Sequence, residues 1–475
     1  MLFPTIQFGI FFPLVFIGSW LLRPHPRRWK LFMLVASYVF YGWWDWHYCF
    51  LLALVTVANQ IFVIGIAESK SRAVKRAWCL GGVAFDVGVL AYFKYYGFFV
   101  DSVTNGFSKL GIHLSPPLVQ VVLPIGISFF TFQAMSYVID AYRDNLKPVS
   151  LLDFAVYLSF FPHLVAGPIV RAVEFLPQLR QRPDPRYIEA SRCFRLIVAG
   201  LFKKVVVSSF LASAIVDKVF AAPGNHSSLE ILFAIYGYAF QIYADFSGYT
   251  DIAIGCALLL GIKFPPNFDS PYIARSLQDF WRRWHMTLSR WLRDYLYISL
   301  GGNRGGRWNT YRNLMLTMLI GGLWHGASWT FVVWGGIHGV GLVGERLMAD
   351  RRAALHLPEP ADTPWHRFVR WFVTFHIVCL AWVFFRAPTF GIAMDMLTGL
   401  FTQWGQPSPL VTGLLIFTIL AMLAAQFVPE ATMLRIQAAF STFPLVAQGV
   451  TLAGCFFLID ALGPTGVAPF IYFRF

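Results

Sequence analysis

The 475-residue sequence is poor in charge. Only 13% of it is Asp, Glu, Lys or Arg, about half of the roughly 25% found in an ordinary soluble domain. Acidic residues are the scarcer sign, 24 against 38 basic ones, for a net charge of +14. Cysteine is also sparse. Cys49, Cys79, Cys193, Cys256, Cys379 and Cys455 are scattered, mostly inside apolar stretches, and no CxxC pair occurs. That spacing indicates neither a disulfide framework nor a zinc site. No HxxxH pair lies on one helix face, so nothing in the sequence forces a metal. There is no internal repeat, no low-complexity linker and no P-loop pattern.

What fills the chain instead is apolar surface. Hydrophobic residues make up 57% and aromatics 18%, with 48 Phe, 17 Trp and 19 Tyr. A disordered chain would lack those aromatics. One or two soluble cores could not hide so much apolar surface. The composition therefore predicts an all-α polytopic membrane protein whose main partner is the lipid bilayer. The basic excess is read as the positive-inside bias of cytoplasmic loops, not as a nucleic-acid-binding surface.

Apolar runs long enough to span, or nearly so, lie at 3–22, 31–45, 48–67, 78–99, 118–139, 196–220, 230–262, 368–386, 410–428 and 444–462. A longer run at 313–344 suggests a tight helical pair or a re-entrant element. The first run has no basic segment before it and reads as a first span, not as a cleaved signal peptide. Arg23, Arg27, Arg28 and Lys30 follow the first span, and Lys70, Arg72, Lys75 and Arg76 follow the third. Placing both loops inside puts the N-terminus outside. The Arg-rich segments 263–312 and 346–370 then fall inside; 222–229, 387–409 and the C-terminal stretch from 463 fall outside. The stretch 151–169 contains Pro162, His163, Gly167 and Pro168 and precedes a basic segment, so it reads as re-entrant. Such backbone must be buried in protein or line a wet cavity.

Three clusters carry possible chemistry. His325 sits in a run, 314–336, with no formal charge and with Gly321, Gly322, Gly326, Trp324, Trp329 and Trp334 around it. An ionisable group at such depth is a functional candidate, weighed evenly against a hydrogen-bonded core histidine. Segment 280–297 reads as one amphipathic helix. Its stripe is Trp281, Trp284, Leu288, Trp291 and Tyr295, and His285 lies on the border of that stripe. Asp245 and Asp251 interrupt an apolar span beside Ser247, Tyr249 and Thr250. They need partners from another helix, expected to be His or Arg, and read first as a polar clamp. His47, His338 and His376 read as interface or packing residues; His25, His113, His226, His356 and His366 lie in loops or at span edges.

These motifs together resemble the membrane-bound O-acyltransferase family. The likeness is closest to its bacterial branch of alginate and peptidoglycan O-acetyltransferases. It rests on LPIGISFFTFQAMSYVIDAYR (123–143), FFPHLVAGPIVR (160–171), QIYADFSGYTDIAIG (241–255), FPPNFDSPY (264–272), FWRRWHMTLSRWLRDYLYISLGGNR (280–304) and GLWHGASWTFVVWG (322–335). The whole chain, 1–475, would then be one membrane-embedded domain with its motif-bearing core at about 120–340. The resemblance implies about eleven spans around a central funnel, with re-entrant and interfacial helices. It assigns the catalytic histidine to His325 and the second catalytic position to His285. It further implies an acetyl donor on the cytoplasmic side, acetyl-CoA. A periplasmic SGNH-type acetyltransferase partner, a polysaccharide acceptor and the bacterial inner membrane follow from the same likeness, with no bound cofactor.

Elementary chemistry fits that expectation. Acyl transfer from a thioester to a hydroxyl needs a base near neutral pH, which histidine supplies. His325 would act as that base or as the acyl-accepting nucleophile. A Trp indole N–H or the backbone at Gly326 would hold the oxyanion. Arg282, Arg283, Arg304 and Arg307 would attract an anionic donor. The matched motifs add Trp324, Trp284, Asp245, Ser247 and Asn267 to the donor- and substrate-binding candidates. D-alanyl transfer to teichoic acid would use both histidine motifs. A transporter or flippase would show paired broken spans in two halves, and no such pair is evident. Both histidines are expected to line one central cavity open to both membrane faces.

Overall fold

The structure is a computed structural model that describes residues 1–113, 122–358, 362–464 and 471. Among these residues the regular elements are all helices, joined by loops, with no strand. By length and composition, five helices can cross a membrane: His47–Glu68, Arg72–Ser108, Ala190–Ala221, Pro364–Arg386 and Leu445–Leu462. Gly413–Ala425 and Glu430–Ser441 add a sixth if taken together, bent by 95°. Ile6–Leu22 and Phe390–Thr402 are apolar but shorter. The last of these lies in the stretch 387–409, whose one charged residue is Asp395. The apolar run at 118–139 appears as helix Ile127–Tyr142, with 118–121 outside the described residues, as is most of the C-terminal stretch. The run at 313–344 is a helical pair, Arg307–His325 and Trp329–Ala354.

The contacts divide the chain into two compact units. The first comprises residues 1–193 and 253–265. Its helices carry polar groups that find protein partners, as lipid surroundings require. Trp29 Nε1 donates to Ser19 Oγ at 2.8 Å, and Asn59 Nδ2 donates to Asp86 Oδ1 at 2.9 Å, both residues fully buried. The stretch read as re-entrant is broken as its prolines and glycine demand. Helix Leu151–Ser159 stops at Phe160, a single turn Phe161–Leu164 follows, and the chain then extends. Every residue from 154 to 170 is buried, so its non-helical backbone is enclosed by protein. His163 lies inside it, its Nε2 2.7 Å from the Tyr157 carbonyl and its ring stacked on Phe264 at 5.3 Å.

The second unit comprises residues 194–252 and 266–475. Its scaffold depends on close helix approach. A Cβ added at Gly200 would stand 2.6 Å from the Gly248 carbonyl oxygen, and one at Gly248 would stand 2.6 Å from the Gly200 carbonyl oxygen. Only glycine at both positions lets the helices Ala190–Ala221 and Ser228–Leu259 touch backbone to backbone. That contact brings two lysines onto the two carboxylates. Lys203 Nζ lies 2.6 Å from Asp251 Oδ2 and donates to Ser247 Oγ at 2.9 Å. Lys204 pairs with Asp245 Oδ1, which also accepts from Ser208 Oγ at 3.2 Å, while Asp245 Oδ2 accepts the Ile471 N–H at 2.9 Å. The clamp expected for these aspartates is present, but its cations are lysines, not His or Arg. The lysine-bearing helix widens into π-helical turns at Phe202–Ser208 and Ala212–Val216. Adjacent residues 203 and 204 thus address carboxylates six positions apart. The hairpin of Arg307–His325 and Trp329–Ala354 is equally close: a Cβ on Gly322 would collide with the Phe331 carbonyl, and one on Gly335 with that of Met318.

Lys204 and Asp245 are almost completely buried, so removing one charge strands the other. Lys204→Met is expected to destabilise the protein by about 3–5 kcal/mol. Adding Asp245→Asn should recover most of that loss. Thermal unfolding in detergent measures both; equal melting points for the single and double variants would contradict the clamp.

Candidate active site

The site is built on a break in a helix. The periodic aromatic stripe of 280–297 predicts one continuous helix, and the structure corrects this. Helix Leu277–Arg283 is capped by Ser276, whose hydroxyl accepts from the Asp279 N–H, and by Glu345, which accepts the Leu277 and Gln278 N–H groups. It stops at Trp284, which is extended, and His285 adopts a left-handed conformation with φ 42°. Helix Met286–Trp291 then restarts and passes into a π-helical turn, Leu292–Tyr297. A non-glycine residue at positive φ is costly and persists only where its surroundings hold it.

Asn267 holds it. Its side-chain Oδ1 accepts the Thr287 N–H at 3.1 Å and the Thr287 hydroxyl at 2.8 Å, and lies 3.2 Å from His285 Nδ1. Its backbone carbonyl accepts the Met286 N–H at 2.9 Å. One asparagine from a preceding loop therefore caps the restarted helix, where free N–H groups would otherwise be stranded. The loop itself is pinned two residues on. The Asp269 N–H donates to the Arg283 carbonyl, and the Arg283 guanidinium bonds Asp269 and Asp279.

The same contacts fix a proton. A backbone N–H can only donate, so the Asn267 atom facing Thr287 N is the oxygen. That oxygen can only accept, so the hydrogen bond with His285 requires the proton on His285 Nδ1. In the neutral ring Nε2 then carries the lone pair, and among the described residues it has no hydrogen-bond partner. His285 has no exposed surface and meets Phe246 edge-on at 4.6 Å.

His325 ends the helix Arg307–His325 and is 3% exposed. Its ring centroid lies 6.5 Å from that of His285. Trp324, Trp334 and Phe385 enclose it at 5.0, 4.9 and 5.2 Å. Gly326 follows directly, and a Cβ there would overlap the Phe331 ring. Beyond this turn lies a cavity of about 280 Å³ lined by Gln241, Ser328, Thr330, Phe331 and Arg386 among others. Arg386 is held by Asp217 at 2.6 Å.

The structure thus brings His325, His285, Trp324 and Asn267 together. It places Trp284 in the adjoining aromatic wall, 5.0 Å from both Phe268 and Trp382. Arg282 is exposed. Arg283 is committed to two carboxylates and anchors the loop instead of offering a free charge to a donor. Asp245 and Ser247 belong to the lysine clamp. His285 is sealed from solvent and His325 nearly so. Trp334 forms the wall expected of it, whereas Phe385, Lys203 and Lys204 are neighbours that no sequence motif assigns to a site or a clamp. A lysine pair inside an apolar run was the available signal for the last two.

Asn267→Leu should free the imidazole and uncap the helix, lowering turnover by about 10-fold or more, as loss of the partner that orients a metal-bound histidine does. Asn267→Asp keeps an accepting oxygen and should retain more activity than the leucine variant. Rates per folded protein check this; equal losses in both variants would contradict the orienting role.

Residues 90–387 match the MBOAT, membrane-bound O-acyltransferase, family. The chain is 43% identical over 405 residues to the probable alginate O-acetylase AlgI of Pseudomonas aeruginosa, covering 85% of this chain and 75% of that protein. It is 38% identical over 420 residues to the peptidoglycan O-acetyltransferase of Helicobacter pylori, covering 82% and 77%. The teichoic acid D-alanyltransferase of Streptococcus thermophilus is 31% identical over 285 residues, covering 55% and 68%. The buried histidine pair and the apolar helices thus sit in a multi-pass membrane acyltransferase, and the chain belongs to the membrane-bound O-acyltransferase family.

Proposed function

We propose that the protein moves an acetyl group from acetyl-CoA, on the cytoplasmic side of a bacterial inner membrane, toward an extracytoplasmic polysaccharide. The acceptor polymer is an alginate-like exopolysaccharide or peptidoglycan, reached through a periplasmic SGNH-type acetyltransferase. The names of the two relatives with the broader coverage support the acetyl group and the polymer class. The observation that carries the chemistry is the pairing of His325 with a tautomer-locked His285 inside an aromatic enclosure.

In this reading an acceptor hydroxyl attacks the thioester carbonyl carbon and gives its proton to His325. The new C–O bond forms while the carbonyl π pair moves onto oxygen. The oxyanion then collapses, the C–S bond breaks, and the thiolate takes the proton back from His325. His285, with its lone pair fixed on Nε2, accepts a hydrogen bond from the reacting groups and orients them. The aromatic walls exclude water, which protects the thioester from hydrolysis and strengthens each polar contact. The cavity beyond Gly326, with Gln241, Ser328 and Thr330 in its lining, offers the hydrogen-bonding groups an acceptor needs.

Mass analysis of exopolysaccharide and peptidoglycan from cells with and without the gene tests the assignment. Loss of acetyl esters from one polymer is expected; loss of D-alanyl esters with acetyl esters intact would contradict it. His325→Ala should reduce acetyl transfer by about 10²–10⁴-fold, the usual contribution of a general base, at normal protein abundance. Wild-type acetylation by that variant would remove His325 from the mechanism. His285→Ala should lower the rate per folded protein as well, and an unchanged specific activity would reduce His285 to a packing residue.

A further inference from the structure

A third histidine lies in the same enclosure. Helix Trp329–Ala354 carries Trp334 and His338 one turn apart, which places them on one face. Both are sealed from solvent, at 1% and 0% exposure. The Trp334 ring lies 4.9 Å from His325 on one side and 5.0 Å from His338 on the other. It also stacks on Trp382 at 5.8 Å and meets Phe385 at 5.2 Å.

The proton on His338 is fixed by its neighbour. Trp281 Nε1 lies 3.3 Å from His338 Nδ1. An indole nitrogen can only donate, so Nδ1 must accept and the neutral ring carries its proton on Nε2. That Nε2–H has no hydrogen-bond partner among the described residues, and neither does Trp334 Nε1–H. A buried donor left unpaired costs about 1–3 kcal/mol, and such donors are rare in folded proteins. The two lie one turn apart on one helix face, and the Trp334 ring between His325 and His338 links them to the catalytic histidine.

We propose that Trp334 Nε1–H and His338 Nε2–H bind the carbonyl oxygen of the acyl thioester and hold the negative charge it gains in the transition state. The inference rests on the acyl-transfer reading above and names the part of the site that receives the donor. As the acceptor oxygen bonds to the carbonyl carbon, the displaced π pair comes to rest on the oxygen between the two donors. It re-forms the C=O bond when the thiolate leaves. The surrounding aromatic rings lower the local dielectric, where fixed donors are worth most. Neither residue loses its own proton. The proton that moves is the acceptor hydroxyl's, through His325 to the leaving sulfur.

The test uses the full-length enzyme in proteoliposomes with acetyl-CoA as donor. Trp334→Phe keeps an aromatic ring but removes the N–H together with part of the indole's bulk, so protein abundance and thermal stability are measured alongside. Trp334→Phe and His338→Leu should each lower kcat by about 10²–10³-fold, the scale of one lost oxyanion donor, with a much smaller change in KM for acetyl-CoA. His338→Gln restores an N–H and should recover part of the loss. In a His325→Ala background, bound [1-¹³C]acetyl-CoA should show its carbonyl stretch displaced to lower frequency, and His338→Leu should shrink that displacement. Variants turning over within about 3-fold of wild type, or a carbonyl band indifferent to His338→Leu, would overturn the assignment while leaving the acetyl-transfer reading intact. Failure of the wild-type enzyme to use acetyl-CoA at all would instead overturn that reading.

Discussion

The site depends on a single side-chain oxygen. Asn267 Oδ1 meets two donors from Thr287 and the Nδ1–H of His285, and each contact does a different job. The Thr287 bonds satisfy the start of a helix that would otherwise expose unpaired N–H groups in a dry interior. The His285 bond selects the tautomer and orients the ring. Without both, the left-handed residue at 285 has no compensation. A continuous helix would be the lower-energy path for this aromatic, periodic segment, and it would point the imidazole elsewhere.

The lysine clamp supports the same region by other means. Two ion pairs, Lys203 with Asp251 and Lys204 with Asp245, tie the helices Ala190–Ala221 and Ser228–Leu259 together. Phe246, between the clamp residues Asp245 and Ser247, is the ring that His285 meets edge-on. The clamp therefore sets the position of one wall of the site. Buried charges of this kind add little net stability when paired and cost heavily when broken. Their value here is to fix one helix register. The glycines at 200 and 248 permit the approach and the carboxylates make it specific.

Much of this was legible in the sequence. His325 stood out as an ionisable residue in an uncharged run, and GLWHGASW carried the family likeness. His285 and Asn267 were both inside matched motifs. The interruption at His285 was not legible, because WRRWHMTLSRW has helical periodicity. The residue that breaks the helix lies eighteen positions earlier in the chain. Asp245 and Asp251 call for partners from another helix, but Lys203 and Lys204 sit within an apolar run that reads as an ordinary span. Only the π-helical turns show how neighbouring residues can reach both carboxylates. His338 read as packing because GGIHGV offers no polar neighbour; the Trp281 bond that fixes its proton is a tertiary contact. How tightly His285 and His325 are enclosed was not legible either, since a hydropathy pattern places residues at depth but says nothing of how closely aromatic side chains fill the space around them.

The whole arrangement requires a neutral His285 with its proton on Nδ1 and a lone pair on Nε2. Solid-state nitrogen NMR of ¹⁵N-histidine-labelled protein in lipid, with His285 assigned by comparison with a His285→Gln sample, reads this directly. One protonated nitrogen at Nδ1 and one unprotonated nitrogen at Nε2 are expected at neutral pH. A proton on Nε2, or on both nitrogens, would contradict it.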